Sequence, residues 1–413
     1  MRLGMIGAGF NANFHATALR SVRGVELAGV YAPKGAAELV ARARNEGLGT
    51  AEVYPTIAEM CNNVEIIGIF CPNFARLDAI HAIADAVKRG AALKGIIVEK
   101  PLARNLAEAR EFVDVANGLG VPQAYFENQI HMSSIVGCRA QLAKVAAAMG
   151  NPHLARSAEE HGGPHEPWFW DPTKQGGGVW CDMGCHSAAV GWWTLTPEGK
   201  APNFLKPIGV TATMGLLKWR HQPWLGKLLE RGVDYTKTPA EDYALVTIEF
   251  QNPETGQIVL AQATDSWMYD APGLRLAMEV MGPAYSYNVD SLSSPAGLFI
   301  GDAAAEAVAN AELALEKSQA SRGKLVMQPD EADLYGYVGE WRDAVKNFAA
   351  GKSALLDFNY GLDVVVLVMA GYLSHERGCR IDLTDPNVLT EFKTYVPLIQ
   401  QGYGATVLGP VAG

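Results

Sequence analysis

Met1-Arg2-Leu3-Gly4-Met5-Ile6-Gly7-Ala8-Gly9-Phe10-Asn11-Ala12-Asn13-Phe14-His15 opens the chain. A strand-length apolar run, Leu3–Ile6, leads directly into two glycines and a small residue, and helical spacing follows over Phe14–Ser21. In such a turn the first glycine, Gly7, permits the tight bend, and the second, Gly9, lets backbone approach a pyrophosphate. The third position, Ala12, must be small so that the helix can lie on the sheet. Unbonded N–H groups at the helix start complete an anion trap. A glycine-rich turn also occurs for packing alone, but the strand before it and the alternation after it favour a dinucleotide site.

That alternation extends outward from the loop. Strands are expected at Leu3–Ile6, Glu26–Tyr31, Ile66–Phe70, Gly95–Val98 and Gln123–Phe126. Helical patterns lie between them at Phe14–Ser21, Ala36–Asn45, Ala75–Arg89 and Leu106–Leu119. Strand–helix alternation predicts an α/β doubly wound parallel sheet with its ligand at the carboxyl ends of the strands. Beyond Glu127 the grammar changes. A helix is expected over Ser133–Met149, then strands at Ala155–Glu159, Gly209–Leu216, Ala244–Phe250, Ile258–Thr264 and Leu276–Met281 without regular helices between them. This predicts a second, α+β domain with a large, mostly antiparallel sheet. Helices are expected again at Asp302–Ser318, Ala332–Ala350 and Val364–His375. The division reads as a cofactor domain, residues 1–127, and a substrate and oligomerisation domain, 128–413, with Lys218–Glu241 as an insertion rich in Trp, Pro and Gly.

Composition narrows the class. The 413 residues are 49% hydrophobic and 19% charged, the balance of a globular protein, and the net charge of -10 disfavours nucleic acid as a general partner. No apolar run approaches a membrane span, and the first strand leaves no room for a secretion signal. Six cysteines, at 61, 71, 138, 181, 185 and 379, show no framework spacing. They read as reduced thiols, so the expected compartment is the cytoplasm.

Three features carry chemistry. Ile96-Ile97-Val98-Glu99-Lys100-Pro101 places a lysine at the carboxyl end of a central strand, where an ammonium can hydrogen-bond a substrate oxygen; the plainer reading is a surface turn. Gly176-Gly177-Gly178-Val179-Trp180-Cys181-Asp182-Met183-Gly184-Cys185-His186, read as one helix, sets Asp182 and His186 a turn apart, a carboxylate tuning a general base. Cys181, Asp182, Cys185 and His186 could alternatively hold zinc, but their faces diverge and no second ligand cluster stands elsewhere, so no metal is expected. Five of nine tryptophans (168, 170, 180, 192 and 193) fall in this stretch. Core packing is their commoner fate, and stacking on a sugar is the sharper alternative, with Trp170 as the candidate. Glu159, Glu160, His161 and His165 are candidate hydroxyl ligands. The second strand ends Tyr31-Ala32-Pro33-Lys34 without the carboxylate that a free ribose 2′-OH calls for. Lys34 is then either a partner for a 2′-phosphate, leaning toward NADP over NAD, or a solvated turn residue.

The ordered set resembles the glucose-fructose oxidoreductase / inositol dehydrogenase / rhizopine catabolism (Gfo/Idh/MocA) family. The matching pieces are Gly-Ala-Gly-Phe-Asn-Ala with His15, Cys71-Pro72-Asn73, Glu99-Lys100-Pro101, Asn128, the triple glycine with Asp182 and His186, Glu241-Asp242, Gly336 to Asp343, and Tyr372-Leu373-Ser374-His375-Glu376. The resemblance implies an N-terminal Rossmann domain and a C-terminal domain whose open sheet forms dimer or tetramer contacts. It implies that Lys100 orients the substrate oxygen, that His186 takes the hydroxyl proton and that Asp182 supports His186. Gly7, Gly9, Phe10, Asn11, Ala12, Lys34, Cys71, Pro72, Asn73, Glu99, Lys100 and Asn128 would bind NAD or NADP, with Pro72, Asn73 and Asn128 at the nicotinamide end. Glu159, His161, Trp170, Asp182 and His186 would meet substrate. The expected activity is hydride transfer at a secondary hydroxyl of a sugar, cyclic polyol or sugar derivative. The alternatives are a retained-cofactor glycosidase or isomerase and a non-catalytic cofactor sensor. The missing acidic residue and the Lys218–Glu241 insertion are departures from the family pattern.

Overall fold

The computed structural model describes residues 1–270, 273–283, 285–292, 297–300, 323–326 and 331–411. The chain forms two compact units, Met1–Ser133 with Tyr335–Val366, and Ser134–Leu334 with Leu367–Gly413. The helix expected at Asp302–Ser318 lies outside the described residues.

In the first unit the strands are β1 (Arg2–Ile6), β2 (Glu26–Tyr31), β3 (Glu52–Val53), β4 (Ile66–Ile69), β5 (Gly95–Glu99) and β6 (Gln123–Phe126). They form one sheet in the order β3-β2-β1-β4-β5-β6, with every pairing parallel. The helices between them are α1 (Phe10–Leu19), α2 (Ala36–Asn45), α3 (Ile57–Cys61), α4 (Arg76–Lys88) and α5 (Leu106–Asn117). Every residue of β4 and β5 is buried, the continuous apolar pattern of strands covered on both faces. Strand order reverses between β1 and β4, so a crevice opens there at the strand ends. Helix α1 starts at Phe10 rather than at the expected Phe14, because Gly9 serves as its N-cap and the Asn13 N–H closes the first turn on the Gly9 carbonyl at 3.1 Å.

Helix α6 (Ser133–Met149) leads into the second unit, which is built on β7 (Leu154–Glu160), β8 (Lys206–Gly215), β9 (Tyr243–Gln251), β10 (Ile258–Ser266), β11 (Arg275–Gly282) and β12 (Tyr285–Asp290). A separate pair, β13 (Gly297–Ile300) and β14 (Gly323–Val326), stands apart, and β15 (Ile381–Asp382) completes the large sheet. The order is β12-β11-β7-β10-β9-β8-β15, antiparallel except where β7 lies parallel to β10. Short helices α7 (Pro172–Gln175) and α8 (Val179–Asp182) lead into α9 (Gly184–Leu195), which packs on β7 and β10; α10 (Trp224–Glu230) lies in the insertion. The single helix expected over Ala332–Ala350 is two, Glu331–Leu334 and Tyr337–Ala349. Gly336 interrupts them at φ +91°, and a Cβ there would lie 2.0 Å from the Asn128 carbonyl oxygen.

Candidate active site

The glycine loop follows β1 and is wedged between two neighbouring strand ends. The Gly7 N–H donates to the Tyr31 carbonyl at 2.8 Å. At φ +118° a Cβ on Gly7 would sit 2.7 Å from the Phe70 carbonyl oxygen. Gly9 is the opposite case, since a Cβ there would meet nothing within 4 Å. That space lies over the first turn of α1, whose leading N–H groups precede the first helical bond. Asn13 Nδ2 braces the loop by donating to the carbonyls of Ala8 and Gly9 at 3.1 and 3.0 Å. Asn11 Oδ1 is buried with no partner, so a donor on a bound cofactor would satisfy it. Ala12 is buried against the sheet and Phe10 is 48% exposed. These residues fit a dinucleotide pyrophosphate. Lys34 is exposed beyond the end of β2.

Lys100 follows β5, half-buried, joined to Pro101 by a cis peptide. Its backbone is gripped by a buried arginine that sequence reasoning missed. Arg76, at the start of α4, donates to the carbonyls of Glu99 at 2.5 Å, of Lys100 at 3.0 Å and of Pro101, and also to that of Cys71 at 3.3 Å. One guanidinium thus ties the Cys71-Pro72-Asn73 turn to the lysine. The carboxylate of Glu99 is bonded within the unit's core: His15 Nε2 lies 2.7 Å from its Oε1. The indole N–H of Trp341 donates to His15 Nδ1 at 3.0 Å. Because that N–H can only donate, Nδ1 must be the acceptor nitrogen and Nε2 carries the proton toward Glu99. Burial alone would push Glu99 up, yet the His15 bond and the nearby His15, Lys100 and Arg76 hold it below the ordinary carboxylate range. Glu340, 3.9 Å from His15, is pushed well above that range by burial and by Glu99 and Glu127, and both its oxygens lack partners. His15, Glu99 and Glu340 bring ligand atoms close enough for a metal, but both ring nitrogens are already engaged. The amide nitrogen of Asn128 donates to the Tyr335 carbonyl at 2.7 Å, while Asn73 is buried and the Cys71 thiol is pushed by burial to about 11.

In the second unit the segment expected as one helix is broken at Met183: α8 ends at Asp182, and α9 begins at Gly184. Both Asp182 and His186 are buried. The carboxylate found 3.9 Å from His186 Nε2 is that of Glu159, from β7. Beneath them, Asp265 of β10 accepts from the Ser187 hydroxyl at 2.7 Å and from the Glu159 N–H at 3.3 Å. Burial, aided by the charges of Glu159 and Glu160, pushes the Asp265 carboxyl well above its ordinary range. The glycines here make room for protein rather than ligand. A Cβ on Gly177 would lie 1.9 Å from the Tyr372 hydroxyl, one on Gly178 2.1 Å from the Glu241 carbonyl, and one on Gly184 1.9 Å from the Trp180 ring. His161 is fully buried, its Nδ1 accepting from the Gly163 N–H at 2.9 Å. Trp170 is a correction. It is 0% exposed, its N–H is given to the Pro164 carbonyl at 3.0 Å, and Trp219, Tyr235 and Trp267 surround its ring, so it packs the core instead of facing a sugar. Glu160 pairs with Arg275, and His165 is exposed. Ser187 and Asp265 escaped the sequence reading because single polar residues on apolar elements leave no spacing signal.

Residues 1–125 match the GFO/IDH/MocA oxidoreductase family, NAD-binding Rossmann fold, and residues 141–286 match the GFO/IDH/MocA C-terminal domain. The chain belongs to this family. It is 27% identical over 142 residues to the uncharacterized protein YMR315W of Saccharomyces cerevisiae, across 34% of this chain and 39% of that protein. It is 30% identical over 134 residues to glucose-6-phosphate 3-dehydrogenase of Bacillus subtilis, across 32% of this chain and 35% of that enzyme. The chain therefore matches little more than a third of the length of these relatives. Its fold is similar to that of GenD2 from gentamicin A biosynthesis, solved in complex with NAD, with a TM-score of 0.73 at 22% identity over 93% of this chain and 97% of that one.

Proposed function

We propose that this family member is an NAD(P)-dependent dehydrogenase that transfers hydride between the nicotinamide and a secondary hydroxyl carbon of a sugar, cyclic polyol or sugar derivative. The observation that carries the reading is the glycine loop at the β1/β4 switch point, closed at Gly7 and open at Gly9 over the start of α1. The glucose-6-phosphate 3-dehydrogenase match and the NAD complex of the fold relative support it. When bound, the nicotinamide supplies the hydride acceptor. His186 takes the hydroxyl proton, Lys100 steadies the oxygen as charge develops, and Asp182 supports His186. Glu159 and His161 are the proposed hydroxyl ligands. Exposed Lys34, with no carboxylate between Tyr31 and it, favours NADP over NAD. Residues 1–127 serve as the cofactor domain and 128–413 as the substrate and assembly domain, self-associating through the open face of the large sheet. Six cysteines, none of them paired, suit the cytoplasm. No helix among the described residues is long and apolar enough to cross a membrane.

The test is a panel of sugars, polyols and glycosides with NAD and with NADP, read as reduced nicotinamide. Lys100→Met and His186→Ala should each lower kcat at least about tenfold while cofactor affinity survives. Near-normal turnover in both variants overturns the assignment. Substrate conversion without release of reduced cofactor points instead to an isomerase or glycosidase working through transient oxidation.

A further inference from the structure

The one-turn helix α8 exists because four consecutive N–H groups find partners outside it. The Gly178 N–H lies 3.0 Å from both carboxylate oxygens of Glu241, and the Trp180 N–H lies 3.0 Å from Oε1. Between them, the Val179 N–H donates to the backbone carbonyl of the same Glu241 at 3.0 Å. The fourth, the Cys181 N–H, donates to the Tyr372 hydroxyl at 3.1 Å, and that hydroxyl donates in turn to Glu241 Oε1 at 2.6 Å. Only then does the helix's own ladder begin, with the Asp182 N–H on the Gly178 carbonyl at 3.2 Å. Four N-terminal orphans are the full complement of a helix start. Here two residues, both wholly buried, meet all four.

The surroundings leave this arrangement no slack. A Cβ on Gly177 would strike the Tyr372 hydroxyl, and one on Gly178 would strike both the carbonyl and the carboxylate of Glu241. The Trp180 indole N–H is bonded to the Val368 carbonyl at 2.9 Å, one turn before Tyr372 on the same helix, Phe358–Arg377. Asp182 closes α8 and His186 lies in the first turn of α9, so any shift of the α8 start is passed to both within two turns.

We infer that Glu241 and Tyr372 are positioning residues for the proton-transfer pair, holding Asp182 and His186 in place through the α8 N–H groups. This rests on the dehydrogenase reading for its chemistry, though not for its geometry. Tyr372→Phe removes one donor and one acceptor while keeping the ring. Glu241→Ala removes the whole side-chain cradle. Glu241→Gln is the conservative control, since its amide oxygen can take the place of Oε1 and keep the bonds from Gly178, Trp180 and Tyr372.

The decisive measurement uses the whole protein with isotope-labelled histidine, the His186 ring signals being assigned by His186→Gln. Tyr372→Phe and Glu241→Ala should move the His186 signals and leave those of His15, in the other unit, unchanged, while Glu241→Gln stays near wild type. With the best substrate of the panel, the first two should lower kcat by about ten- to a hundredfold with the KM for cofactor unaltered. Lowered melting temperatures with His186 signals at their wild-type positions overturn the inference, as does a Glu241→Gln shift as large as that of Glu241→Ala. If Glu241→Ala does not fold, Tyr372→Phe decides. If no panel member turns over with the wild type, the dehydrogenase reading fails, and the His186 signals still decide the positioning.

Discussion

At the scale of single residues, the buried acids of this protein differ by what reaches them. Glu99 is met by a histidine N–H and keeps its charge; Glu340, nearby, has no donor and is pushed toward its neutral form. Trp341 decides between them by claiming His15 Nδ1, which fixes the proton on the side of Glu99. Trp341→Phe removes that N–H and part of a ring packed on His15, Phe70 and Phe126. Its cost should be about 2–4 kcal/mol, seen as a lower midpoint in urea unfolding. Glu241 allows a prediction with a sign. Burial raises its carboxyl from the ordinary 4.5 to about 7, despite the donors from Tyr372, Trp180 and Gly178. A raised folded value means the folded state holds the proton more tightly, so the stability this confers is complete below about 4.5 and lost as pH rises through 7. Glu241→Gln cannot lose it. Relative to wild type, the melting temperature of the glutamine variant should therefore rise between pH 5 and pH 8, the gap opening by on the order of 3 kcal/mol at most. A gap that stays constant with pH would show that Glu241 does not titrate there.

At the scale of elements, two glycines in one loop should fail in different ways. Gly7→Ala forces a side chain into φ +118° and against the Phe70 carbonyl, so it should destabilise by about 1–3 kcal/mol or more. Gly9→Ala meets only open space at φ -75°, so its unfolding midpoint should stay within about 0.5 kcal/mol of wild type. Its affinity for the nicotinamide cofactor, measured by titration calorimetry, should fall at least about tenfold, because the methyl occupies the space proposed for a phosphate. Equal losses of stability in the two variants would refute this division of labour. These contrasts also show what was legible beforehand. Strands such as Glu26–Tyr31 and Gln123–Phe126 could be placed to the residue, because buried strands announce themselves as apolar runs between turn signals. β3 and α3, with two and five residues, carry no period to detect. The triple glycine stood out in the sequence, but the break at Met183 and the purpose of the glycines did not. Its reason is Glu241 and Tyr372, some sixty and two hundred residues away in sequence, which no local pattern can report. Arg76 was hidden for the same reason: its partners are backbone carbonyls, and carbonyls have no sequence.

At the scale of the whole molecule, the large sheet poses the remaining problem, since α9 packs on one of its faces and, among the described residues, the other face carries exposed side chains. On the other, Leu245, Ile258 and Leu260 are 40%, 53% and 37% exposed. Registers align Leu245 with Thr264, Thr264 with Ala158, and Ala158 with Ala277, an uncharged row of modest side chains across β9, β10, β7 and β11. The next row carries Arg156 and Glu279, paired at 3.2 Å. Scattered exposed leucines need no explanation, but a flat uncharged row bordered by matched charges is suited to a two-fold contact, in which each residue meets its own copy or a neighbour of it. A chain with net charge -10 is repelled by its copies at long range, so such a contact must draw on local burial. The protein is accordingly expected to sediment as a dimer or tetramer at micromolar concentration. Leu245→Arg sets like charges against each other across the two-fold while leaving the covered face untouched. It should weaken association about a hundredfold or more without lowering the melting temperature of the dissociated chain. Sedimentation equilibrium over a concentration series distinguishes the outcomes. A wild type that remains monomeric, or a Leu245→Arg variant that assembles as tightly as wild type, removes this face from the assembly.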